Sequence, residues 1–142
     1  PTAGLDPEER IRFRMLVTEA AAEMTVLLST HIVEDVEATC PRLGVIGRGR
    51  LLFDGPPTEL LRRANGRLWR LPVEAPLPAG AVEVTRRTDR EGGVERVVYH
   101  EGPVPGAVPR PPNLEESYAA FLALQGIETA PEDLAESPEG AA

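Results

Sequence analysis

The stretch Val26-Leu27-Leu28-Ser29-Thr30-His31 constrains this chain more than any other. It runs apolar, turns polar at Ser-Thr-His, and gives way to Ile32-Val33-Glu34-Asp35-Val36-Glu37, a helical pattern with acidic residues. A short run of apolar and β-branched residues suits a strand buried on both faces, as in sheets covered by helices. Ser29, Thr30 and His31 then fall at the carboxyl end of that strand, the edge at which open α/β sheets bind ligands. The expected fold class is α/β. A lone histidine at such a junction is usually a surface or capping residue, so its meaning depends on the rest of the chain.

A second junction lies upstream, in Gly4-Leu5-Asp6-Pro7-Glu8-Glu9-Arg10. Asp6 can accept hydrogen bonds from first-turn amides, Pro7 suits the first helical position, and Glu9 completes a capping box. The acidic pair Glu8 and Glu9 also favours the positive end of the helix dipole. The spacing predicts a helix from there to about Glu23, with Ile11, Met15, Leu16 and Ala20-Ala21-Ala22 available for packing. Behind His31, a short helix of roughly Ile32 to Thr39 is expected to end near Pro41. Ile32, Val33 and Val36 form its apolar face, and Glu34, Asp35 and Glu37 its solvated side. Leu43 to Gly55 reads as two short strands around Gly47-Arg48-Gly49. The glycines Gly44, Gly47 and Gly49 superficially suggest a phosphate loop, but no strand–loop–helix context surrounds them, and a hairpin is the better reading.

Taken together, these junctions resemble the carboxy-terminal part of an ABC transporter ATP-binding protein. The family's D-loop matches Gly4-Leu5-Asp6-Pro7, and its switch histidine matches His31. The run from Arg42-Leu43-Gly44-Val45-Ile46 to Gly55 matches the hairpin that follows, and Asp54-Gly55-Pro56-Pro57-Thr58-Glu59-Leu60 fits the turn ending it. The resemblance implies the end of a P-loop NTPase core over residues 1–66. It also implies a fragment starting just after Walker B, since Pro1-Thr2-Ala3 stands where the family has passed its catalytic glutamate.

Composition decides what the chain can do alone. All fifteen basic residues are Arg, and a phosphate loop of the form GxxxxGK[ST] requires its Lys. The chain therefore contains no Walker A motif. The formal charge is −8, and the tail from Gly126 holds Glu128, Glu132, Asp133, Glu136 and Glu139 without a basic residue. No basic stripe with interleaved aromatics suggests a nucleic-acid surface. Cys40, the single cysteine, has no intrachain disulfide partner and fits a reducing cytosol. It reads as a small hydrophobe rather than a ligand or nucleophile. No apolar run approaches the roughly 18 residues of a membrane span.

From Arg67 the character changes. Arg67 to Leu71, Ala81 to Arg86 and Val94 to Tyr99 alternate as half-buried strands, the last two joined across Arg90-Glu91-Gly92-Gly93. Residues 103–112 hold five prolines and read as an extended spacer. Asn113 then caps a helix carrying Leu114, Tyr118, Phe121, Leu122 and Leu124. His100 reads as a surface residue. Residues 67–125 resemble the small α+β appendage behind the core of many exporter-type subunits, and 126–142 form an acidic tail too poor in apolar residues to order itself.

The resemblance implies an ATP-binding and ATP-hydrolysing subunit with ATP and magnesium as cofactors. It implies a second ATP-binding subunit, in a homodimer, and an integral membrane permease as partners, at the cytoplasmic face of the membrane. His31 would contact the γ-phosphate as the catalytic residue, while Gly4, Leu5 and Asp6 would face the opposing subunit. No metal ligand is expected in these 142 residues, which alone should bind no nucleotide. Two other readings exist, a non-catalytic interaction module built on the β appendage and an ABC-type ATPase acting on DNA.

Overall fold

The computed structural model describes residues 4–127, so residues 128–142 of the acidic tail lie outside the described residues. The described chain falls into two compact units, residues 4–57 and 58–127. In the first, helix α1 spans Pro7–Glu23, α2 spans Val33–Thr39, and strands β1 (Leu43–Gly47) and β2 (Arg50–Gly55) form an antiparallel hairpin. The capping box starts α1 as expected: the Glu9 amide donates to Asp6 Oδ1 at 2.8 Å and the Asp6 amide to Glu9 Oε2 at 3.1 Å. The hairpin turn uses φ of 51° at Arg48 and 71° at Gly49, two left-handed residues whose twist matches that of the flanking strands. Val45 and Phe53 pair across the two strands, and both are buried.

Besides Ile11, Met15 and Leu16, which are exposed rather than packed, two expectations for this unit are corrected. Val26 to Thr30 forms no strand, and Leu27 is 96% exposed. A parallel strand needs neighbours on both sides to pair its amides and carbonyls. Among the described residues of this unit the only strands, β1 and β2, pair with each other and not with this segment. The second correction concerns Asp35, expected on the solvated side of α2. It is 1% exposed, because Arg14 of α1 draws its carboxylate inward.

The second unit has α3 (Pro57–Ala64, in this unit from Thr58 onward), β3 (Leu68–Pro72), β4 (Val82–Thr88), β5 (Val94–Tyr99), a two-residue β6 (Val108–Pro109) and α4 (Leu114–Leu124). Its sheet is antiparallel, ordered β4-β5-β3-β6. The strands alternate as their sequences require, so the two faces bury different sets. Ala64, Leu68, Val84, Val97 and Tyr99 pack with Ala119 and Ala120 of α4, whereas Leu71 and Val98 pack with Val104.

Val104 belongs to the proline-bearing segment, which is therefore a packed cover rather than a free spacer. Its β6 pairs with Trp69 and Arg70 of β3, and the Arg110 amide donates to the Leu68 carbonyl at 2.9 Å. Proline suits this edge position, where a missing amide costs no ladder bond. His100 is half-buried rather than a plain surface residue, its Nδ1 2.7 Å from the Gly102 carbonyl oxygen. Asn113 caps α4 by accepting from the Glu116 amide at 2.7 Å.

Candidate functional site

The candidate site lies in the first unit, where two helix starts carry the singled-out residues. Gly4 has φ of 82°, a conformation that suits glycine because other side chains clash there. It turns the chain into half-buried Leu5 and then into Asp6. One carboxylate oxygen of Asp6 is taken by the Glu9 amide, and the residue is otherwise exposed.

The second start is a local turn. Thr30 Oγ1 accepts from the Ile32 amide at 3.0 Å, a side-chain-to-backbone bond that Ser and Thr commonly use to redirect a chain. His31 is the residue spanned by that bond. Its side chain is exposed, and among the described residues no hydrogen bond or ion pair engages its ring, including any with Asp6. An imidazole held on a turn with both nitrogens available can donate to an anion or accept from water. Gly4, Leu5 and Asp6 thus start α1, His31 precedes α2, and the two groups make no direct bond.

What connects the two helix starts is ionic. Arg14 Nε donates to Asp35 Oδ1 at 2.8 Å, and Nη2 lies 2.7 Å from the same oxygen. Exposed Glu34 approaches Arg10 Nη1 at 3.9 Å and Arg14 Nη2 at 3.8 Å. The sequence reading missed this cluster. Its signal was Arg10 and Arg14, four apart on one face of α1, opposite the adjacent acids Glu34 and Asp35. Among the described residues no group of three His, Cys, Asp or Glu side chains could hold a metal ion. Cys40 is half-buried, its Sγ 3.5 Å from Thr39 Oγ1. No helix is long and apolar enough to cross a membrane among the described residues.

Comparison with known proteins supplies what geometry alone does not. No protein-family model and no solved structure matches the sequence. Curated proteins do. The chain is 39% identical over 66 residues to ABC transporter A family member 6 of Arabidopsis thaliana, covering 46% of this chain and 7% of that protein. It is 30% identical over 103 residues to ABC transporter A family member 3 of the same plant, covering 72% and 10%. To the Nod factor export ATP-binding protein I of Ralstonia nicotianae it is 40% identical over 67 residues, covering 46% and 21%.

Over about half its length, this chain is related to ABC transporter ATPases. It spans between 7% and 22% of the length of these and similar curated relatives.

Proposed function

We propose that this chain supplies the switch-histidine and D-loop portion of an ATP-hydrolysing subunit that energises a membrane permease, with export as the direction. The observation that carries the reading is His31, exposed on a turn held by Thr30 with neither ring nitrogen engaged among the described residues, in a chain related over about half its length to ABC ATPases. Phosphoryl transfer requires charge neutralisation on the terminal phosphate and in-line placement of water. The His31 imidazole can donate one hydrogen bond to a terminal phosphate oxygen and so help hold the attacking water. Hydrolysis removes that partner, so the same contact reports whether the terminal phosphate is present.

Asp6 has one carboxylate oxygen committed to its helix cap, and the other can accept from a group on a second subunit. Gly4 and Leu5 set the turn that presents it. The resemblance implies a homodimer, each copy closing the other's nucleotide site, at the cytoplasmic face of the membrane.

ATP and magnesium fit these residues only in part. His31 suits a phosphate contact, but the sequence has no Lys for a phosphate loop. The described residues offer no three-ligand cluster for the metal. Magnesium, when bound, neutralises phosphate charge. Its ligands and the phosphate loop must come from polypeptide other than these residues.

Two measurements test the reading. The 142-residue chain alone should show no saturable MgATP binding by calorimetry, and saturable binding would contradict the assignment of the phosphate loop elsewhere. In the whole ATP-binding protein, His31→Ala should lower kcat for ATP hydrolysis by about 100-fold or more, the scale of a lost transition-state hydrogen bond. Unchanged turnover would sink the role of His31.

A further inference from the structure

We infer that the Arg14–Asp35 ion pair is a positioning device, fixing the turn that carries His31 relative to the helix that Asp6 begins. The inference rests on the proposed role of His31 and adds two residues to it. Helix α1 fully buries none of its residues, and Phe13, Val17 and Ala20 are only half-buried, so apolar packing alone fixes weakly how α2 sits against it. Apolar contacts are in any case non-directional. A guanidinium N–H donating to a carboxylate is directional, because the fixed donor vector limits where the acceptor can lie. Here Arg14 Nε donates to Asp35 Oδ1, while Nη2 lies close without making a hydrogen bond.

Asp35 is 1% exposed while the Arg14 side chain is 24% exposed, so Arg14 brings a charged partner to a buried carboxylate. Asp35 lies one helical turn beyond His31, and Arg14 two turns beyond Asp6. Shifting the pair therefore shifts the histidine turn as a unit. Asp35 also sits in the first turn of α2, where its charge favours the helix dipole. The flanking Glu34, 3.8 Å from Arg14 Nη2 and largely exposed, adds attraction without burial. Glu34 also approaches Arg10 Nη1 at 3.9 Å, which joins Arg10 to the same ionic cluster.

The test has two readouts. In the 142-residue chain, Arg14→Met should raise amide hydrogen-exchange rates at Ile32, Asp35 and Cys40, whose amides are hydrogen-bonded, by about tenfold or more, leaving the β1–β2 hairpin and the second unit unchanged. Asp35→Asn should do the same. Arg14→Lys, which keeps the charge without the fixed donor vector, should fall between, and the exchanged pair Arg14→Asp with Asp35→Arg should recover part of the protection. Unchanged protection in Arg14→Met would overturn the inference. Equal loss throughout the chain would also overturn it, by showing general unfolding.

In the whole ATP-binding protein, Arg14→Met should lower kcat by about tenfold or more, the scale of a misplaced reacting group, with KM for MgATP within about twofold. It should add little to His31→Ala, because both act through one imidazole. A kcat loss of the same size in both backgrounds would overturn the positioning role while leaving His31 in place. If His31→Ala has wild-type turnover, the reading of the site fails instead, and the inference falls with it.

Discussion

Removing Arg110 should destabilise the second unit far more than replacing the whole ion pair with apolar residues. Glu116 is buried, its side chain 4% exposed. Arg110 reaches it with both arms of its fork, Nε at 3.0 Å from Oε2 and Nη2 at 3.0 Å from Oε1. Burial would otherwise leave this carboxylate desolvated, and the same contact raises the Arg110 guanidinium above its usual range, chiefly through the hydrogen bond to Glu116.

Breaking a buried pair by deleting one partner costs about 3–5 kcal/mol, because the other charge is stranded. Here Arg87 Nη1 remains 3.5 Å from Oε1, so the expected loss for Arg110→Ala is smaller, about 2–3 kcal/mol. For a unit of roughly 70 residues this lowers the melting temperature by roughly 10–20 °C. Trp69, the chain's one tryptophan, lies in this unit and donates to the His100 carbonyl at 3.2 Å. Its fluorescence on heating or in urea therefore reports the right unfolding event. The double substitution Arg110→Met with Glu116→Leu removes the desolvation penalty with the charges and should stay within about 1 kcal/mol of the parent. The backbone bond from Arg110 to Leu68 survives in both variants. If Arg110→Ala costs under about 0.5 kcal/mol, the scale of an exposed pair, or if the double variant costs as much as the single, the argument from stranded charge is wrong.

Two further outcomes follow from local chemistry. Asp6→Ala removes the reciprocal cap of α1, and at about 1 kcal/mol it should reduce helicity by circular dichroism and speed exchange of the Glu9 amide. Asp6→Asn should retain most of both, and equal loss in the two would refute capping as the cause. The Glu59 carboxyl is held down to about 2 by hydrogen bonds from Arg62 and then Arg63. A depressed acid stabilises the fold above its unfolded value near 4.5 and loses that contribution as pH falls toward 2. The Trp69-monitored midpoint should therefore drop between about pH 5 and 2, and Glu59→Gln should flatten part of the slope. An unaltered slope would place the acid sensitivity elsewhere.

What was legible in the sequence is what short-range chemistry decides. Asp6, Pro7 and Glu9 lie within four positions, and their cap needs nothing else to form. The Gly47-Arg48-Gly49 turn and the three half-buried strands after Arg67 likewise follow from backbone preference and alternation. The reading of Asp35 fails because its neighbours on α2 define a polar side, whereas its partner Arg14 lies 21 positions away on a helix that fully buries none of its residues. The proline segment was read as a spacer for a related reason. Five prolines describe a stiff chain, and only Val104, Val108 and Arg110 acting with β3 and α4 turn that stiffness into a cover.

The run Val26 to Thr30 carries the deepest version of the same point. Its pattern asks for burial on both faces, and the hairpin strands beside it in sequence are bonded to each other. A strand of this kind stabilises a fold only by pairing laterally, so its residues specify neighbours as much as a conformation. Leu27, exposed at 96%, therefore marks a demand that the described strands do not meet. His31 stands at the end of that demand. Its turn is set locally by Thr30, and its distance from the Asp6 helix is constrained by Arg14 and Asp35. The role proposed for it depends on a phosphate-holding loop that a sequence without lysine cannot make.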